Sequence, residues 1–179
     1  MNIGFISTRL AGVDGVSLET QKLAHVFSEM GHNCFYCAGE LDGNSQPGYL
    51  IQEAHFTHPE AKALHDEAFA KPELEPEFFA RLYASADAIR AELEKFVEKY
   101  NIDIIVPQNA LTIPMNISLG IAIADLIKRT RVKALAHHHD FYWERERFIN
   151  YCVQDQLNEA FPPDLQPMVH MVINKAMQQ

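Results

Sequence analysis

The densest run of groups able to move protons or bind a metal is His137-His138-His139-Asp140, followed at once by Phe141-Tyr142-Trp143-Glu144-Arg145. In an extended strand His137 and His139 share one face and His138 takes the other. Three chemistries fit such a run. A zinc site needs a tetrahedral shell completed from elsewhere, and no second His/Cys group at ligand spacing stands out in the sequence. For at least one of the three, burial with a hydrogen bond to backbone is the structural alternative. The third chemistry is a ligand cleft, in which His139 holds a hydroxyl or acts as acid or base while Asp140 orients it or accepts. Trp143, the only tryptophan, presents an aromatic plane that suits a sugar ring or, equally, fills a core.

A second candidate lies near the start, where Gly12-x-x-Gly15 joins the apolar run Ile3 to Ile6 to a helical pattern that stops at Gly31. A glycine-bearing turn from a buried strand into a helix N-terminus lets a ligand approach bare backbone N–H groups, which hold phosphate or sugar hydroxyls. Turn formation with no ligand is the alternative. The spacing is not G-x-G-x-x-G, so the dinucleotide fingerprint is absent as written. Glu40 nevertheless follows the second predicted strand, roughly where a ribose-binding acid sits in such folds. A nicotinamide-type oxidoreductase using Gly12, Gly15 and Glu40 therefore remains a competitor. Arg9 can meet a phosphate bidentately or pair with a surface acid. Gln108 and Asn109, just past Pro107, present amides to a ligand or cap a turn. Cys34 and Cys37 have redox spacing but lie in a strand-like run, where positions i and i+3 face opposite ways; they read as small core residues.

The elements that must position these groups follow from periodicity. The opening strand leads to a helix with Ser17 as candidate N-cap, Leu23, Val26, Phe27 and Met30 on its inward face, and Gly31 as its left-handed stop. Asn33 to Ala38 reads as a second buried strand and Tyr49 to Phe56 as a weaker third, with an exposed loop, Glu40 to Gly48, between them. Pro59 opens a short helix to about Ala70. Pro76 to Tyr100 is the clearest helix, with Leu82, Ala86, Ile89, Leu93, Phe96 and Tyr100 alternating four and three apart. Ile102 to Val106 is a buried strand, Pro114 starts a helix to about Arg129, and Val132 to His138 is the next strand. An irregular, partly helical stretch leads to a last strand, Met168 to Ile173, and then to what reads as the first turns of another helix, Asn174 to Gln179. Strands alternating with helices predict an α/β fold: a Rossmann-like, doubly wound, mostly parallel sheet with helices on both faces. Right-handed crossovers place every strand's carboxyl end on one edge, where the loops near Arg9, Ala38, Pro107 and His138 meet.

Composition narrows the partners. Residues 1–179 suffice for one domain with its own core, and 47% hydrophobic residues argue against disorder. Twenty-four acidic against 15 basic residues give a net charge of −9, and the dispersed basic residues leave no footprint for nucleic acid. The N-terminus does not read as a signal peptide, and no apolar run is long enough to span a bilayer, so a cytoplasmic location is expected.

The opening strand with its IST-R-L-AGVDGVS loop, the helix ending ALAHVFSEMGH, and the late strand ending ALAHHHDFYWERERF together resemble the N-terminal domain of GT-B glycosyltransferases of the family-4 type. The resemblance spans nearly the whole chain. It implies a retaining glycosyltransferase of hexosyltransferase type in which two Rossmann-like domains face each other. The N-terminal one holds the acceptor, and the C-terminal one holds most of the nucleotide-sugar donor. It implies that Gly12 and Gly15 lie near donor phosphates and acceptor, that His139 with Asp140 positions the transferring sugar, and that no metal or cofactor beyond the nucleotide-sugar co-substrate is needed. Arg9, Asn109 and Glu144 are further candidates for the cleft. The family's C-terminal domain has no room in this sequence, so a domain fragment is expected. A stand-alone sugar- or nucleotide-binding module is the non-enzyme alternative. On the transferase reading the purified chain alone should give no sugar transfer, and robust turnover would refute the two-domain expectation.

Overall fold

A computed structural model describes residues 1–148 and 151–173. The described strands are β1 (Asn2–Ser7), β2 (Asn33–Ala38), β3 (Gly48–Leu50), β4 (Ile104–Pro107), β5 (Lys133–His138) and β6 (Met168–Val172), in one sheet of order β3-β2-β1-β4-β5-β6. Every neighbouring pair is parallel. The helices are α1 (Gly15–Glu29), α2 (Pro59–Ala70), α3 (Pro76–Lys99), α4 (Ile117–Thr130) and α5 (Gln154–Ala160). The sheet grows outward from β1 in both directions, which is the doubly wound, Rossmann-like arrangement that the alternation of elements predicts.

Alternating side chains serve two cores. Ile3 and Phe5 of β1 pack with Tyr36, Val106, Ala24, Leu23 and Phe27 on the face covered by α1. Ile6, Cys37 and Ile105 pack with α3 and α4 on the other. Cys34 and Cys37 accordingly join opposite cores, and both are free thiols. A third cluster joins α2, α3, α4 and α5 through Leu64, Leu82, Ile121 and Leu157. α3 follows its sequence pattern closely: Phe78, Leu82, Ala86, Ile89, Leu93 and Phe96 are buried at three-and-four spacing, and Tyr100 is the C-cap. Among the described residues no helix is long and apolar enough to cross a membrane.

Several boundaries differ from the sequence expectation. Residues Tyr49 to Phe56 are not a full strand: β3 is short, and Gln52–Ala54 form a 3-10 turn that buries Ile51 and Ala54. The helix expected from Pro114 begins at Ile117, because the Asn116 side chain accepts from the Leu119 N–H at 3.1 Å and fixes the cap there. In α1 Leu23 and Phe27 pack inward as expected, beside the buried Ser17, Thr20 and Ala24, whereas Val26 and Met30 are exposed. Its N-cap is Asp14 rather than Ser17. Gly31 does take the left-handed conformation, with φ +83°. The helical turns expected over Asn174 to Gln179 lie outside the described residues.

The turn after β2 is held by a close approach. Just past β2, the Gly39 N–H donates to the Thr8 carbonyl at 3.1 Å, and a Cβ at Gly39 would overlap the backbone of His55. Gly39→Ala is expected to lower stability by about 1–3 kcal/mol, as overpacking does. Urea unfolding checks this, and an unchanged midpoint would contradict the close packing.

Candidate functional site

The site is built where β1 and β4 end side by side. The Gln108 N–H donates to the Ile6 carbonyl at 2.8 Å, and the Ser7 hydroxyl donates back to the Gln108 carbonyl at 3.0 Å. After these bonds the two chains diverge, because β1 leads toward α1 on one face and β4 toward α4 on the other. A crevice of about 240 Å³ opens between them, lined by Arg9, Asp14, Phe56, Gln108, Asn109 and Met115 among others. A second cleft of about 480 Å³ lies between α1 and the ends of β5 and β6, lined by Gly15, Glu19, Lys22, His137, His139 and Met171 among others. Gly15 and His139 thus share one cleft on one rim of the sheet.

The glycine loop is less bare than its sequence promised. The Gly12 N–H, on a backbone with φ +78°, donates to Asp42 Oδ2 at 2.7 Å. The Val16 and Ser17 N–H groups both donate to Asp14 Oδ1, at 3.0 and 3.1 Å. Carboxylates of the chain itself occupy these donors, and the backbone bonds to Asp42, Gly12 first, hold its carboxyl below the usual range. Arg9 is also engaged, with Glu40 at 3.0 Å and Asp14 at 3.7 Å. Glu40 further meets His55 Nε2 at 3.2 Å.

Asn109 ties the β4 end to the β5 end. Its N–H donates to the His137 carbonyl at 2.8 Å, and its Oδ1 accepts from the His139 N–H at 3.0 Å and the Thr112 hydroxyl at 2.8 Å. Its Nδ2 donates to Asp140 Oδ1 at 2.9 Å, and Asp140 Oδ2 pairs with Arg145. Both Asp140 oxygens are therefore committed to holding the turn that presents His139. Glu144 is committed too, since its Oε2 accepts from the Phe141 N–H at 2.7 Å. Asn109 has φ +52°, in the left-handed region that asparagine tolerates better than most side chains. Trp143 is exposed and stacks on Phe141 at 4.5 Å between centroids, the rings 8° from parallel.

The histidines divide by face as strand alternation requires. His137 Nδ1 lies 2.9 Å from Gln108 Oε1, and an amide oxygen only accepts, so His137 carries its proton on Nδ1. Its ring meets that of His139 edge-on at 4.8 Å. On the other face, His138 Nε2 lies 2.8 Å from His170 Nδ1 on β6. Burial pushes His137 down to about 4 and His138 to about 3. His139 is also lowered, first by burial, although Glu19 and Asp140 oppose the shift. The result is three neutral imidazoles near pH 7. Nε2 of His139 and Nε2 of Gln108 are buried without a partner. Among the described residues no group of three or more His, Cys, Asp or Glu side chains is arranged to hold a metal ion.

Sequence reasoning did not find His170 as the partner of His138. That contact depends on the β5–β6 register, Ala136 opposite His170, which no local signal encodes.

No protein-family model matches the chain. It is 34% identical over 185 residues to the mannosylglucosylglycerate synthase of Thermotoga maritima, covering 99% of this chain. It is 28% identical over 191 residues to the enzyme of the same name from Petrotoga mobilis, covering all of this chain. These relatives are glycosyltransferases, and the chain spans 41% of the length of each.

The imidazoles set an expected pH dependence. His137 and His138 are neutral when folded but protonate when unfolded below the ordinary value of 6.5, so the unfolded state binds more protons between 6.5 and about 4. Stability should hold above pH 6.5 and fall as pH drops through that window, by at most about 1.4 kcal/mol per pH unit for each imidazole. Denaturant unfolding from pH 7 to 5 tests it. A flat profile, or imidazole resonances titrating near 6.5, would contradict the burial of neutral rings.

Proposed function

We propose that the chain is the acceptor-binding half of a retaining, nucleotide-sugar-dependent glycosyltransferase. It would form the N-terminal domain of a GT-B architecture of family-4 type, with a second, donor-binding domain as its partner and a cytoplasmic site of action. The observation that carries this reading is the likeness to two mannosylglucosylglycerate synthases along essentially the whole chain. By their name, those enzymes make a mannosylated glucosylglycerate. The corresponding reaction for this chain is hexosyl transfer, mannosyl by that analogy, from a nucleotide-sugar to glucosylglycerate, a hydroxy acid bearing a glucosyl group.

The residues fit the roles in physical terms. His139 presents an unpartnered Nε2 on a neutral ring, which can accept a hydrogen bond from a sugar hydroxyl. Asp140 acts as a positioning carboxylate through Asn109 and Arg145. Gly15 leaves open space at the helix start, where no neighbour lies within 4 Å of the place a Cβ would occupy. Gly12 and Arg9 border the same rim, but an incoming phosphate must compete there with Asp42, Glu40 and Asp14 for their donors. That competition favours an acceptor over donor phosphates at the glycine loop of this half.

A nicotinamide-dependent oxidoreductase is the second reading, favoured by the strand order and by Glu40 just past β2. Calorimetric titration of the purified chain separates the two. Saturable binding of glucosylglycerate without tight binding of NADH or NADPH is expected, and tight dinucleotide binding with no response to glucosylglycerate would overturn the transferase reading.

A further inference from the structure

The cationic side chains Arg9, Lys22 and Arg145, near the carboxyl-end rim of the sheet, are each paired. Arg9 pairs with Glu40 and Asp14, Lys22 with Glu19, and Arg145 with Asp140. Arg147 differs from these three. Among the described residues it has no carboxylate within ion-pairing distance, although Glu144 and Glu146 are close in sequence and Glu144 is already taken up by the Phe141 N–H. The Arg147 guanidinium lies over the Phe148 ring at 4.5 Å and against Met115 Sδ at 3.9 Å. Met115 lines the crevice between β1 and β4. A planar fork of five donors is thus held on soft, weakly accepting surfaces, one of them a residue that lines the crevice, in a chain of net charge −9.

The lining of the same crevice holds a second unmet group. Gln108 is fully buried, its Oε1 is taken by His137, and its Nε2 has no partner. A buried amide donor left unsatisfied costs free energy unless a ligand oxygen fills it. Ile113, Phe56 and Met115 supply apolar wall between these polar points.

We propose that this crevice is a subsite for a carboxylate-bearing polyhydroxy ligand, with Arg147 gripping the carboxylate at the mouth and Gln108 Nε2 donating to a hydroxyl or ring oxygen within. The inference rests on the acceptor reading above and adds the residue that selects an acidic acceptor over a neutral one. Bidentate pairing suits a guanidinium and a carboxylate, and it is lost when the acid becomes an alcohol.

Calorimetric titration of the purified chain with glucosylglycerate and with glucosylglycerol, which carries a hydroxymethyl group in place of the carboxylate, tests the inference. The wild-type chain should bind the acid about tenfold to a hundredfold more tightly, the range expected for a hydrogen-bonded charge. Arg147→Met should abolish that preference. Arg147→Lys should restore part of it at low ionic strength. Arg147 is exposed, so both variants should keep the wild-type circular dichroism spectrum. The Gln108 side-chain amide resonances should shift with either ligand, and an unmoved amide would remove Gln108 from the subsite. Equal affinity of the wild-type chain for both compounds, or an Arg147→Met variant that still prefers the acid, would overturn this inference and leave the transferase reading standing. Binding of neither compound would overturn both.

Discussion

The reversal of strand order between β1 and β4 is the constraint on which the site depends. β1 is flanked by β2 on one side and β4 on the other, and all three run the same way. Each crossover must be right-handed, so the chain leaving β1 and the chain leaving β4 are driven to opposite faces. No connection can then bridge the gap at their carboxyl ends. The crevice lined by Arg9, Gln108 and Asn109 follows from topology, and the packed cores on both faces of β1 hold it open.

Local chemistry then sets what the rim can bind. The loop and helix N-terminus next to β1 would be an anion site if their N–H groups were free. Asp14 and Asp42 already take the N–H groups of Val16, Ser17 and Gly12. Beside them, burial holds the three imidazoles of β5 and its following turn in the neutral form, and Asn109 fixes the orientation of that turn. The rim therefore combines carboxylates, neutral imidazoles and amides, a surface suited to hydroxyl groups. Arg9, Lys22 and Arg145 are paired there with carboxylates, and Arg147, beside Met115, is not paired with one among the described residues.

What the sequence revealed and what it hid have physical reasons. The long α3 helix was legible because Leu82, Ala86, Ile89, Leu93 and Phe96 repeat with the helical period and one face is buried. The parallel sheet was legible because β2 and β4 are short apolar runs between helices. The start of α1 was misread because Asp14 and Ser17 are both good caps and bond to each other, at 2.8 Å, so local propensity does not choose between them. Val26 and Met30 matched the period but face outward, since the small residues Ser17, Thr20 and Ala24 let α1 lie close to the sheet. Placing Gly15 and His139 in one cleft followed from strand polarity alone. The contacts of Asn109 with Asp140, of Gln108 with His137 and of His138 with His170 join positions some thirty residues apart. They require the strand register, which a single sequence does not carry.

The most direct test of a hydroxyl-binding rim at the β1–β4 reversal is a crystal structure of the protein with glucosylglycerate bound. The ligand should lie between the carboxyl ends of β1 and β4, with one oxygen on Gln108 Nε2. A ligand seated at the opposite, amino-end rim of the sheet, or away from both clefts, would contradict it.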